Sequence, residues 1–159
     1  MDCVCPKNRY YVTMKIYKFT LKDDFLYTKP LLKPFLNYFY RYSFLDKNGI
    51  KWLELINENN YQTIKILKGY SWDGCSPKLK MGGKIIGVWD GPVLQDGYPA
   101  CYKASLVHDA LCQFWNPNGP YSLIFADKNF QELLDSVHFK YSKLYYNMVR
   151  HYHLVRYGE

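Results

Sequence analysis

The period of the hydrophobic pattern changes along the chain. From Tyr11 to Thr20 the run YVTMKIYKFT alternates apolar and polar positions, the signature of a half-buried strand. The dipeptides Lys29-Pro30 and Lys33-Pro34 interrupt it. The aromatic stretch Asn37 to Leu45 then ends at Asp46-Lys47-Asn48-Gly49, a turn sequence that predicts a hairpin. Ile50 to Ile56 and Tyr61 to Leu67 predict two further strands around the Asn-rich 57–60 segment. The first half therefore reads as mostly antiparallel β-structure. Between Gly69 and Pro99 glycine and proline are too dense for much regular structure, and the segment predicts a long, functional loop with an ordered Trp72–Pro77 stretch.

Beyond residue 102 the period becomes helical. Ala104, Val107, Leu111 and Phe114 share a face in Lys103–Trp115, and Asn116-Pro117-Asn118-Gly119-Pro120 stops that element. Phe125–Val137 aligns Phe130, Leu134 and Val137, and Tyr141–Val155 aligns Leu144, Met148, Tyr152 and Val155. The expectation is an α+β fold, a small N-terminal antiparallel sheet followed by three helices. At 159 residues and 48% hydrophobic content it should form one domain: 1–68 mostly β, 69–102 a glycine-rich loop region, 103–159 helical.

Charge sharpens this picture. Of the net charge of +7, +6 sits in residues 1–70, which hold 12 Lys/Arg against 6 Asp/Glu, whereas residues 71–159 hold 9 against 8. A basic first half suits an anionic partner such as a lipid headgroup or another anionic ligand, and equally suits a plain lysine-rich sheet face. The same surface would suit nucleotides or nucleic acid, of which nucleic acid is the less expected. No apolar run approaches the roughly 18 residues that cross a bilayer, and Met1–Tyr11 lacks the apolar centre of a signal peptide, so a cytoplasmic or virion location is expected. Seventeen tyrosines exceed what a core needs and suit the lining of a ligand surface; alternatively, with frequent Asn, Lys, Ile and Phe, they reflect the drift of an AT-rich genome, which suits a phage or other virus. Five cysteines cannot all pair within one chain. Cys75 with Cys101 is a candidate disulfide under oxidising conditions, and Cys3 with Cys5 a weak metal clip.

The candidate chemistry lies in the second half. His108 falls one turn from Ala104 and from Leu111 and Cys112, at the margin of the buried stripe, and Asp109 lies about 100° further round toward a loop or solvent. Asp127 shares the face of Phe130, Leu134 and Val137 and reads two ways. It is a buried carboxylate paired with His108 across two packed helices, fixing the tautomer and leaving one ring nitrogen as a base, or it is simply a helix N-cap. Asp73-Gly74, a turn that offers a carboxylate and a carbonyl, joins Asp109 as a set of hard oxygen donors suited to calcium, or is a plain β-turn. A Ser76–His108–Asp127 triad can be drawn but has no nucleophile-elbow sequence around it. His138, His151 and His153 have no partner pattern and read as surface or packing residues.

The motifs GYSWDGCSP, CYKASLVHDALCQF, FADKNFQELL and YYNMVRHY resemble the phage and bacterial family called domain of unknown function 1353 over Gly69–Arg150, which implies a viral or prophage origin and no particular activity. The order Asp-Gly-Cys, Ala-Cys, His-Asp, Ala-Asp-x-x-Phe, Tyr-Tyr-x-x-Val is also similar to small bacterial and fungal phospholipase A(2) enzymes. That second resemblance implies a phospholipase A(2)-like C-terminal half in which His108 is the general base, Asp127 orients it, and Asp73, the Gly74 carbonyl and Asp109 hold calcium. Three functions follow as expectations: a calcium-dependent lipid or ester hydrolase; a non-enzymatic viral accessory protein that binds a host protein or an anionic small molecule; or a virion structural component.

Overall fold

A computed structural model of the chain describes residues 17–31, 40–75, 79–81, 84–86 and 89–158. Cys3, Cys5, Ser76 and most of the Tyr11–Thr20 run lie outside the described residues. The fold is α+β, with the sheets N-terminal and three helices at the C-terminal end. It divides into two compact units, one spanning Tyr17–Trp72 and the other holding the chain from Asp73 onward.

In the first unit, β1 (Phe19–Thr20) pairs with β6 (Ser71–Trp72), and β2 (Phe25–Pro30), β3 (Tyr40–Leu45), β4 (Lys51–Glu58) and β5 (Tyr61–Ile66) form an antiparallel sheet in the order β2-β5-β4-β3. The turns are written in the residues that make them. Asn59 and Asn60, both at positive φ (51° and 64°), form the two-residue link between β4 and β5, because asparagine tolerates the left-handed region that a primed turn needs. Between β3 and β4, Asp46 accepts from the Asn48 and Ile50 backbone N–H groups (2.8 and 2.9 Å) and from Trp52 Nε1 (3.0 Å), fixing the predicted turn.

Register then decides what is buried. Leu53 opposes Ile66 and Leu55 opposes Ile64, so four fully buried side chains share one face of the two central strands. Two residues further along that face, buried Asn57 and Gln62 oppose each other, and Gln62 Nε2 donates to Asn57 Oδ1 at 3.2 Å. Pro30, which has no N–H to give, ends an edge strand.

The second unit begins with short pairings where the glycine density predicted mostly loop. β7 (Leu79–Met81) and β8 (Lys84–Ile86) form a hairpin with a two-residue link, and Val93 bridges to Pro99. Gly91, at φ +89°, allows a close approach: a Cβ there would lie 2.8 Å from the Ala100 Cβ and 3.0 Å from the Phe139 ring.

The helices are α1 (Tyr102–Phe114), α2 (Leu123–Ser136) and α3 (Ser142–Tyr157). Ser122 caps α2, its Oγ accepting from Phe125 N, so Asp127 lies inside the helix and the N-cap reading of that residue is overturned. Leu106, Val107, Ala110 and Leu111 of α1 and Leu123, Ala126 and Leu134 of α2 are buried. The α3 stripe is turned the other way from its apolar pattern: Leu144 and Val155 are 54% and 72% exposed, whereas Ser142, Tyr145 and His153 are buried. No helix among the described residues is long and apolar enough to cross a membrane.

Candidate active site around Asp127

The reason for the reversed face of α3 is a single carboxylate. Asp127 is fully buried on α2, and a charge in that position needs several donors to offset its lost hydration. Three come from two other helices. His108 Nε2 of α1 lies 2.8 Å from Oδ1; from α3, one Arg150 guanidinium nitrogen donates to Oδ2 at 2.8 Å and His153 Nδ1 lies 3.0 Å from the carboxylate. Burial alone would raise the Asp127 pKa. The hydrogen bonds from His108, His153 and Arg150 outweigh it and hold the group well below the usual carboxylate range.

An ionised carboxylate only accepts, so it assigns both rings. Each ring donates to it, His108 from Nε2 and His153 from Nδ1, so the lone pair of a neutral ring falls on His108 Nδ1 and on His153 Nε2. The rings stack with centroids 5.6 Å apart, and Phe130 packs against His108 at 4.9 Å. Cys112, one turn beyond His108 on α1, puts its buried Sγ 3.7 Å from His153 Nε2, 4.0 Å from His108 Nδ1 and 3.6 Å from His108 Nε2.

The two residues expected to pair, His108 and Asp127, are thus in direct contact. Asp109 Oδ1 lies 4.0 Å from His108 Nδ1, with its side chain 29% exposed, so this carboxylate stands on the side of the ring nitrogen that does not face Asp127. Asp73 is half-buried and Gly74 adopts φ +80°, a conformation glycine takes without steric cost. In the next residue, the Cys75 backbone N–H donates to Asp90 Oδ1 at 2.7 Å.

Cys75 and Cys101 are both buried thiols outside any disulfide. The hydrogen bond with Cys101, then burial, then the charges of Cys101, Asp90 and Asp109 push the Cys75 thiol well above its usual range. Nearby, Tyr145 donates its hydroxyl to the Trp89 carbonyl at 2.7 Å, and burial followed by the Cys101, Cys75 and Asp90 charges raises its pKa to about 12.

Three residues of the cluster escaped the sequence reading. His153, taken for a surface or packing residue, is 2% exposed and bound to Asp127, while His138 and His151 are exposed. A signal existed: His153 follows buried Ser142 by three full helical turns, but the stronger apolar stripe of Leu144 and Val155 argued for the opposite face. Arg150 and Cys112 gave no comparable signal.

Two donor sets are therefore present. Asp109 and the Asp73-Gly74 loop offer hard oxygen atoms, the type calcium takes. Among the described residues, the one trio of His, Cys, Asp or Glu side chains whose ligand atoms lie within 4.8 Å of one another is His108, Cys112 and His153, a nitrogen and sulfur set of the opposite character. No protein-family model, curated protein or solved structure matches the chain.

Proposed function

We propose that the protein is a hydrolase of lipid or other carboxylic esters, similar in its catalytic half to the small phospholipase A(2) enzymes, with His108 as general base. The observation that supports this reading is the hydrogen bond from His108 Nε2 to buried Asp127, which makes Nδ1 the lone-pair nitrogen of the neutral ring, on the side where Asp109 stands. Nδ1 takes a proton from water as the water oxygen attacks the ester carbonyl, and returns it to the departing alkoxide as the tetrahedral intermediate collapses. Asp127 holds the ring in the working tautomer and stabilises the imidazolium that forms between the two steps. Arg150 and His153 keep Asp127 ionised throughout.

The oxygen donors fit calcium in type: Asp109, Asp73 and the Gly74 carbonyl are the groups that would hold it. Bound there, calcium would supply polarisation of the ester carbonyl and stabilisation of the oxyanion. The excess of Lys and Arg in residues 1–70 suits an anionic lipid surface as the source of substrate.

The test is fatty-acid release from anionic phospholipid vesicles in the presence of calcium, comparing the wild-type chain with His108→Ala. A loss of about 10²- to 10⁴-fold is expected, the usual contribution of a general base, with the melting transition preserved. Full activity in the variant, or none in the wild type, would overturn the reading and favour a binding protein.

A further inference from the structure

One carboxylate prepares more than a base. Because Asp127 accepts from His108 Nε2 and His153 Nδ1, the lone pairs of the neutral rings fall on His108 Nδ1 and His153 Nε2, and both atoms lie within 4.0 Å of the same Cys112 sulfur. Zinc bonds of about 2.3 Å to sulfur and 2.0–2.1 Å to imidazole nitrogen place tetrahedral S and N ligands about 3.5 Å apart. The 3.7 and 4.0 Å separations here exceed that by a few tenths of an ångström, while His108 Nε2, engaged by Asp127, is 3.6 Å from the sulfur. One ligand atom from each of the three residues lies within 4.8 Å of the others, so binding requires the side chains to draw inward and Nδ1 to turn to the ion. Carboxylates that accept from the far nitrogen of a ligating histidine are the usual outer support of zinc sites, and here one carboxylate supports two.

We propose that His108 Nδ1, His153 Nε2 and Cys112 Sγ bind a thiophilic divalent ion of the zinc class, with Asp127 as their shared support. The donor set selects against calcium, which takes oxygen, and in favour of zinc or cobalt(II). The three side chains are 2–7% exposed, so the ion would be shielded from competing ligands, with at most a fourth position for water. The thiol loses its proton to solvent when the ion binds, so affinity rises with pH. The site stands independently of the hydrolase reading. Where both hold, the ion takes the lone pair of the base, and zinc inhibits ester hydrolysis.

The experiment is a cobalt(II) titration of the full-length, chelator-stripped chain, followed by absorbance. Expected are a thiolate-to-cobalt charge-transfer band, tetrahedral visible bands, saturation near about one ion per chain, and bleaching by zinc. Cys112→Ser should abolish the charge-transfer band and weaken binding at least about tenfold, whereas Cys75→Ser should leave both in place. Should Cys112→Ser fail to fold, X-ray absorption on the zinc-loaded wild-type chain decides: one sulfur and two imidazoles in the first shell support the site. A first shell of oxygen alone or with more than one sulfur, absence of the charge-transfer band, or its survival in Cys112→Ser overturns the proposal.

Discussion

The sheet unit and the helical unit support their buried polar atoms differently: Glu54, the buried carboxylate of the sheet, is met within its own hairpin by Lys51 and Ser43, whereas Asp127 collects its donors from two other helices. In the sheet, the buried polar pair Asn57 and Gln62 is neutral, opposed across adjacent strands and satisfied by its own hydrogen bond beside Leu53, Leu55, Ile64 and Ile66. In the helices, the centre is an ion. Asp127 draws donors from positions 19, 23 and 26 residues away, and α3 turns Leu144 and Val155 outward so that Arg150 and His153 can reach it. Apolar surface left in water is a stability cost that a purely structural helix would avoid. The arrangement makes sense as the cost of holding charged and basic groups in fixed positions, a common trade at functional sites.

That contrast can be broken first at its centre. Asp127→Ala leaves two imidazoles and a guanidinium without their acceptor and should destabilise the chain by about 3–5 kcal/mol in urea denaturation, the scale for removing one partner of a buried ionic group. A loss under ~1 kcal/mol would mean that the carboxylate is dispensable to folding. In the sheet the corresponding break is apolar: Leu55→Ala should cost about 2–5 kcal/mol through lost burial and the cavity left behind, and, unlike the first, should cost the same at pH 3 and pH 7.

Acid separates the two chemistries further. Unfolded, Asp127 titrates near its ordinary 3.8; folded, it titrates lower. Below 3.8 the unfolded chain therefore binds a proton that the folded chain refuses, so the stability this group contributes is present in full above that range and falls as pH drops through it toward the folded value. Denaturation midpoints taken between pH 6 and pH 3 should fall in the wild type, and fall less steeply in Asp127→Asn. Parallel curves would sink the assignment. Smallest is the turn: Asp46→Ala removes the acceptor for two backbone N–H groups and Trp52 Nε1 and should cost about 1 kcal/mol by the same measurement.

How far the sequence could be read follows the same division. The β3–β4 and β4–β5 hairpins were legible because their determinants are local: Asp46 to Gly49 and Asn59-Asn60 sit beside the strands they join. The contact of His108 with Asp127 was legible for a different reason, since a carboxylate on an apolar helical face demands a partner and His108 stood at the edge of the neighbouring stripe. His153 was not. Apolar periodicity assigns faces by hydrophobic burial, and on α3 an electrostatic demand from another helix outweighed it. The β7–β8 hairpin was hidden by the same glycine density that marked its surroundings as loop.

Three donors hung on one acceptor also bind the history of the chain. A change at residue 108, 150 or 153 alters what the other two must neutralise, so their substitution energies should be strongly non-additive and natural variants should exchange them in concert. Drift at one of these positions, taken alone, is the path least open to this protein's descendants.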